Sequence, residues 1–338
     1  MIAFSYHIHN LFFHFIVLLF SCKIFVMVSI VLATYNGKKY LHDLLDSLLV
    51  QTYSDFELLI CDDCSIDGTY DVLSLYANKD SRIKLERNDK NVGFKKNFEN
   101  LCLKAHGKYV ALCDQDDIWM SDHLELLINA IGDKDLAIGN ADLMDENGHD
   151  MHCTLRDCDK IDSYPTNKDD SFFLQLYRPH IQGAACLVRA ELLKNILPAP
   201  DGIVFHDQWI GILAASKNGV AYINESVLKY RQHSFNNSGK HIRWNSISKI
   251  FDMLGGEGNN PLYRKQNDFI KVLKESKFEF NEHQIDMISQ AERFFSSMIS
   301  NRRFRVMMYF FKNNFKIYRS LNPVYFFVRF FRIFILKK

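Results

Sequence analysis

Proline is scarce in this chain, with six in 338 residues, and the fifteen glycines follow no period, which excludes collagen-like and low-complexity architectures. The glycine-rich loops that cradle nucleotides are missing too. No G-x-G-x-x-G follows the first strand-like segment, so a dinucleotide fingerprint is excluded, and no G-x-x-x-x-G-K-[ST] supplies a P-loop. Neither a G-x-S-x-G nucleophile elbow nor an H-E-x-x-H zinc helix occurs. The apolar run Leu11–Phe20, broken only by His14, is half the ~20 residues a bilayer span needs. No Lys or Arg precedes Lys23, which denies the N-terminus the basic start of a signal peptide. Acidic residues are absent from 301–338, where ten Lys or Arg stand, so a net charge of +1 hides a body of −9. An acidic body with one basic end is not a nucleic-acid-binding domain.

Eight cysteines are present, several inside apolar runs such as Tyr109–Cys113, where a small buried thiol is the ordinary role. Cys61-Asp62-Asp63-Cys64 has the spacing of half a zinc knuckle, but no second pair follows at a usable distance. Reduced thiols and a reducing compartment are therefore expected.

The body reads as alternating strands and helices. Val28–Ala33 is short, apolar and β-branched, the pattern of a fully buried strand, and polar Thr34-Tyr35-Asn36-Gly37 ends it. Leucines at 41, 44, 45, 48 and 49 then mark one face of a helix over Lys38–Val50. Phe56–Cys61, Arg82–Glu86 and Tyr109–Cys113 are further strands. Helices are expected from Asp67-Gly68-Thr69 to Tyr76, over Phe94–Ala105 and over Ser121–Ile131. Four successive β-α units predict an α/β fold with an open, mostly parallel sheet flanked by helices. Such sheets bind ligands at the carboxyl ends of their strands.

Unusual polar residues cluster at those ends. Asp62, Asp63 and Asp67 follow the second strand, and Asp114-Gln115-Asp116-Asp117 follows the fourth. Carboxylates so placed repel one another unless a cation or a donor-rich ligand compensates. Asp67 has a plain alternative as a helix cap, and Asp62 and Asp63 as turn residues. An Asp-x-Asp pair supplies hard oxygen ligands suited to Mg2+ or Mn2+, which keep open positions for substrate phosphates.

Val28–Gly37, Asp62–Thr69, Asn88–Phe98 and Tyr109–Trp119 together resemble the ordered motifs of family 2 glycosyltransferases with the GT-A fold. Gly183–Arg189, His206–Trp209 and Tyr230–His233 are similar to the rhamnosyltransferase-like branch. The resemblance implies a nucleotide-sugar site to which Asn36 belongs, in which Thr34 and Tyr35 line the base and Asp62 bonds the pyrimidine edge. It sets Asp63 or Ser65 near the ribose and closes Asn91 and Gly93 around the nucleotide. Asp114, Asp116 and His233 would hold the divalent cation, with Asp114 and Arg231 also beside the diphosphate. Asp207 would be the general base, and His206 stands where glutamate is commoner in that family.

The implied enzyme is an inverting, metal-dependent transferase that moves a sugar, L-rhamnose in this branch, from a dTDP- or UDP-linked donor to a cell-surface glycan or lipid-linked acceptor. UDP-galactose or UDP-glucose as donor, and a non-catalytic sugar-nucleotide-binding subunit, are the alternatives. The expected organisation is an upstream hydrophobic segment (1–26), the transferase domain (27–240), a helical extension (241–300) and a basic-aromatic tail (301–338). The first segment is either a weak anchor or sequence upstream of a start at Met27. Twelve aromatics and ten cations in the tail suit the headgroup zone of an anionic membrane, which predicts a cytoplasmic enzyme peripheral on its inner face.

Overall fold

A computed structural model of the chain describes residues 26–159, 164–177, 179–233 and 261–299. The first half follows the expected alternation. Strand β1 (Val28–Thr34) leads into α1 (Lys38–Leu49), β2 (Phe56–Asp62) into α2 (Thr69–Ala77), and β3 (Ile83–Arg87) into α3 (Phe94–Lys104). Strand β4 (Tyr109–Cys113) is followed by the two-residue β5 (Ile118–Trp119) and by α4 (His123–Ile131). The leucine spacing of α1 does what it predicts: Leu41, Leu44, Leu45 and Leu48 are all fully buried. Each such side chain stabilises the fold by roughly 2 kcal/mol.

Strands β3, β2, β1 and β4 lie side by side in parallel. The chain moves outward from β1 to β2 to β3, then crosses back to set β4 on the other side of β1. Right-handed crossovers put α1 and α2 on one face of the sheet and α3 on the other. The order of strands therefore reverses between β1 and β4, and the crevice at their carboxyl ends is where an open sheet accepts a ligand. Register brings Thr34 opposite Asp62 and Asp62 opposite Arg87, while Asp114 follows directly on the last residue of β4.

The second half of the sheet is mixed. Strands β6 (Leu136–Asp145), β7 (Asp150–Thr154), β8 (Cys186–Arg189) and β9 (Val220–Gln232) complete nine strands among the described residues. β8 pairs antiparallel with β4 and with the start of β6, β9 runs parallel to β6, and β5 returns antiparallel on β9. β7 pairs with the far end of β6. The expected α/β sheet is thus parallel on its β3–β4 side and mixed beyond, because β8 and β5 enter in the opposite sense.

Short helices α5 (Leu155–Asp159), α6 (Lys168–Tyr177) and α7 (Ala190–Ile196) lead to α8 (His206–Ser216). Two longer helices, α9 (Pro261–Glu275) and α10 (Glu282–Ile299), pack as a hairpin whose Phe269, Ile270, Leu273, Ile288 and Phe295 join the main core. Buried glutamines fasten it: Gln266 donates to the Leu176 carbonyl at 2.7 Å and Gln284 to the Ser216 carbonyl at 2.7 Å. The expected helical extension is therefore continuous with the domain's core. The upstream segment to residue 25 and the tail 301–338 lie outside the described residues, and no helix among those described is long and apolar enough to cross a membrane.

Candidate active site

The loops after β1 and β2 are tied to each other by side-chain bonds. Asp62, fully buried, accepts from the Ser65 hydroxyl and, at 3.1 Å, from the Ser65 N–H. Thr34 donates to it at 3.4 Å, and the Arg87 guanidinium approaches to 3.2 Å. The Asn36 N–H donates to Ser65 Oγ at 2.9 Å, and Asn36 Oδ1 accepts from the Ile66 N–H at 3.0 Å. Asn36 has φ +48, a left-handed conformation that asparagine tolerates. Asp67 accepts from the Thr69 N–H and hydroxyl and from the Lys38 N–H, so one carboxylate caps the start of α2 and braces the start of α1.

Asp63 is also buried, and three donors converge on it: Asn88 Nδ2 at 2.8 Å and the backbone N–H groups of Val92 and Gly93 at 2.9 Å each. Asn91 Oδ1 accepts from the same Gly93 N–H at 3.0 Å. Gly93 has φ +86 and ψ 150, a region open only to glycine, so the turn into α3 depends on it. The structure gives Asp62 and Asp63 to the loop walls. Tyr35 is half exposed, and Gln115 holds its backbone by accepting from the N–H at 2.9 Å and donating to the carbonyl at 3.1 Å.

Beyond β4 the acidic run divides by role. Asp116 Oδ2 lies 2.6 Å from His233 Nε2, and the His233 ring stacks on Tyr40 with centroids 5.4 Å apart. Asp117 is fully buried; its Oδ1 accepts the Arg231 N–H at 3.0 Å, and its Oδ2 is shielded with no hydrogen-bond partner. Burial, then the charges of Asp116 and Asp114, push its carboxyl well above the ordinary range. Arg231 is almost wholly buried behind Asp116. Its buried guanidinium donates to the Asp116 carbonyl at 2.8 Å and to Asp43 at 3.1 Å, and covers the Tyr40 ring at 4.6 Å. It serves the site by fixing the backbone of Asp116.

Asp114 connects this corner to α8. Its carboxyl is raised to about 7, chiefly by burial, then by the charges of Asp116 and Asp207. Asp207 sits in the first turn of α8 and accepts the Gln208 N–H at 2.7 Å. Burial raises its pKa, against the lowering influence of His206 and of N–H groups from Gln208 and Gly183. The His206 ring stacks on buried Phe98 at 4.4 Å and meets Phe94 at 6.0 Å. Asp207, Asp114, Asp116 and His233 thus form one line across the carboxyl ends of β4 and β9 and the start of α8.

No three His, Cys, Asp or Glu side chains among the described residues are close enough to hold a metal ion by themselves. The donor set nevertheless fits a magnesium- or manganese-type ion. A carboxylate oxygen of Asp116 and the His233 imidazole meet at 2.6 Å, and Asp114 beside them resists ionisation because of burial and of the neighbouring charges of Asp116 and Asp207, which a cation would relieve. Magnesium is commonly held by one or two carboxylates with substrate phosphates completing the sphere.

Several participants carry no motif. Tyr40 and Asp43 lie three residues apart on the non-leucine face of α1, a spacing that could have marked a second working face. Arg87 is the final residue of β3, one past the expected end of that strand. Phe94 and Phe98 show the four-residue spacing of one helix face, with Phe98 buried and Phe94 exposed at its start, and that spacing was the visible signal.

Comparison with known proteins places the chain in a family. Residues 29–197 match the sequence model of Glycosyl transferase family 2. The chain is 37% identical over 264 residues to the UDP-Glc:alpha-D-GlcNAc-diphosphoundecaprenol beta-1,3-glucosyltransferase WfgD of Escherichia coli, covering 75% of this chain and 96% of that protein. It is 38% identical over 99 residues to the putative teichuronic acid biosynthesis glycosyltransferase TuaG of Bacillus subtilis, but that match spans only 29% of this chain and 39% of the relative. In fold it is similar to residues 1–349 of S. aureus TarS in complex with UDP-GlcNAc, with a TM-score of 0.56 at 19% identity, covering 86% of this chain and 75% of that one. The chain belongs to glycosyl transferase family 2 and is a glycosyltransferase.

Proposed function

We propose that the protein transfers a hexose from a UDP-sugar to a hydroxyl of a lipid-diphosphate-linked sugar, with inversion at the anomeric carbon. The observation that carries this is the run of Asp116–His233, Asp114 and Asp207, a cation-type corner and a half-buried carboxylate of raised pKa at one crevice. The UDP-sugar and the lipid-linked acceptor are supported by the name of WfgD, with which the chain aligns over 96% of that protein.

Asp207 would take the acceptor hydroxyl's proton as its oxygen attacks the anomeric carbon. The raised pKa suits that part, because a buried carboxylate is a stronger base than a solvated one. Single displacement inverts the centre. Asp116 and His233, with Asp114, would hold a divalent cation, which when bound supplies positive charge to the leaving diphosphate. Arg231 keeps the Asp116 backbone in register, Tyr40 backs the His233 ring, and Gln115 holds the Tyr35 backbone at the crevice mouth.

dTDP-L-rhamnose is the second donor reading, favoured by the His206–Trp209 motif. A screen of UDP- and dTDP-sugars with purified protein and Mn2+, read as release of the nucleoside diphosphate on adding acceptor, separates the two. UDP release dependent on both Mn2+ and acceptor is expected, and it should vanish in Asp116→Ala. Release that persists in excess chelator would remove the cation from the account, and release of dTDP alone would replace the donor.

A further inference from the structure

The transfer reading leaves His206 without a task, although it occupies the position beside the base. Its ring is gripped by packing: Phe98 stacks on it at 4.4 Å and Phe94 lies at 6.0 Å. Burial lowers its pKa, so the ring is neutral near pH 7 and carries one proton. Nδ1 is shielded from solvent and has no hydrogen-bond partner. A shielded N–H without an acceptor is rarer than a shielded lone pair without a donor, which places the proton on Nε2.

Nε2 is turned toward Gly183. A Cβ on that glycine would stand 3.7 Å from His206 Nε2, 3.6 Å from Asp207 Cβ and 3.8 Å from Leu112 Cδ1. Glycine therefore leaves room for a methyl group against the His206 Nε2, the Asp207 Cβ and Leu112. Phe94 next to the ring is 42% exposed, and Val204, two residues before His206, is 61% exposed. An exposed aromatic ring, a fixed N–H donor and a half-buried carboxylate at one place are the parts needed to hold a sugar by its face and two neighbouring substituents.

We propose that His206 recognises the acceptor, donating its Nε2–H to an oxygen on the carbon adjacent to the attacking hydroxyl while the Phe94 ring supports the sugar face. The substrate class is an acceptor sugar whose attacked hydroxyl has a neighbouring oxygen-bearing substituent, either a second hydroxyl or the carbonyl of an N-acetyl group. This rests on Asp207 as the base and on a nucleotide-sugar donor. A site built to bond a polar substituent strongly rejects the analogue that lacks it, because its own buried group is left unpaired.

The test uses the full chain, UDP-glucose, Mn2+ and three alkyl-diphosphate-linked acceptors: N-acetylglucosamine, glucose and 2-deoxyglucose. Wild-type protein should show a KM for the 2-deoxy acceptor at least tenfold above that of the better of the other two, and which of those is better identifies the oxygen. His206→Phe, which keeps the ring stack but loses the N–H, should raise the KM for that preferred acceptor to the 2-deoxy level. It should leave the 2-deoxy value and UDP affinity unchanged. Gly183→Ala, whose methyl would make only ordinary contacts, should raise KM for all three acceptors and spare UDP affinity. Saturation-transfer NMR of the same compounds with UDP and Mn2+ reads the discrimination without turnover. Discrimination without turnover refutes the transferase reading alone. Equal treatment of all three acceptors by wild type, or an equal loss on all three in His206→Phe, overturns the role of His206.

Discussion

Asp207 shows how environment decides a residue's role. In isolation an aspartate in the first turn of a helix is a dipole partner and nothing more. Here burial raises its pKa above the ordinary carboxylate value, and Asp114 stands close enough for each charge to oppose the other. Folded protein then holds the Asp207 proton more tightly than unfolded chain does. Its contribution to stability grows as pH falls through the raised pKa, whereas a base is useful only above it. The pH profile of kcat/KM should therefore have an acid limb centred above the ordinary aspartate value, absent from the residual activity of Asp207→Asn. A profile flat down to the ordinary aspartate range would show that Asp207 does not accept the proton. Asp114 and Asp116 stand out in the sequence because carboxylates at strand ends are costly without a purpose, whereas Asp207, in the first turn of a helix, is named only through the family resemblance. The destination of Arg231 could not be read there, since its partners Asp43 and Tyr40 lie nearly two hundred residues away on α1. Nor could the closure of Asp62 and Asp63 within the loops, which depends on Arg87 and on the N–H groups of Ser65, Val92 and Gly93.

Elements of the first half were legible because each carries one strong signal. β1, β2 and β4 are short apolar runs, α1 has its leucine stripe, and α3 opens at a glycine whose conformation no other residue takes easily. The second half carries weaker signals. β6 interrupts its apolar pattern with Gly139, Asn140 and Asp142, and β9 includes Asn224 and Glu225 within thirteen residues. The antiparallel entry of β8 is a non-local pairing and leaves no local imprint, whereas the hairpin of β6 and β7 does carry one in Asn147-Gly148, with Gly148 at φ +88 in its turn. The turn from β3 into α3 depends on a single carboxylate that collects three donors. Asp63→Ala should lower the free energy of unfolding by about 3 kcal/mol, since a hydrogen bond to a charged group contributes roughly 1.5–3 kcal/mol and water can satisfy part of what is exposed. Denaturant melts of the two proteins measure this. A loss below about 1 kcal/mol would mean that the loop holds itself without Asp63.

At the scale of the whole molecule, the β3–β4 side of the sheet presents the loops after β1, β2 and β4, and the mixed side supplies His233 and the support for α8. The site exists only where the halves meet, with Asp116 from one and His233 from the other. The α9–α10 hairpin reinforces the second half: Gln208, next to the base, donates to Gln266 at 2.9 Å, and Gln266 donates to the Leu176 carbonyl. A base so anchored should be separable from donor binding, and that separation is the central claim. The most direct measurement is a single-turnover assay of wild type and Asp207→Asn with UDP-sugar, Mn2+ and acceptor, alongside calorimetric titration of UDP into both. UDP affinity should be unchanged while transfer slows by roughly 10²–10⁴-fold, the usual contribution of a general base. Loss of UDP affinity with transfer preserved at saturation would contradict the account.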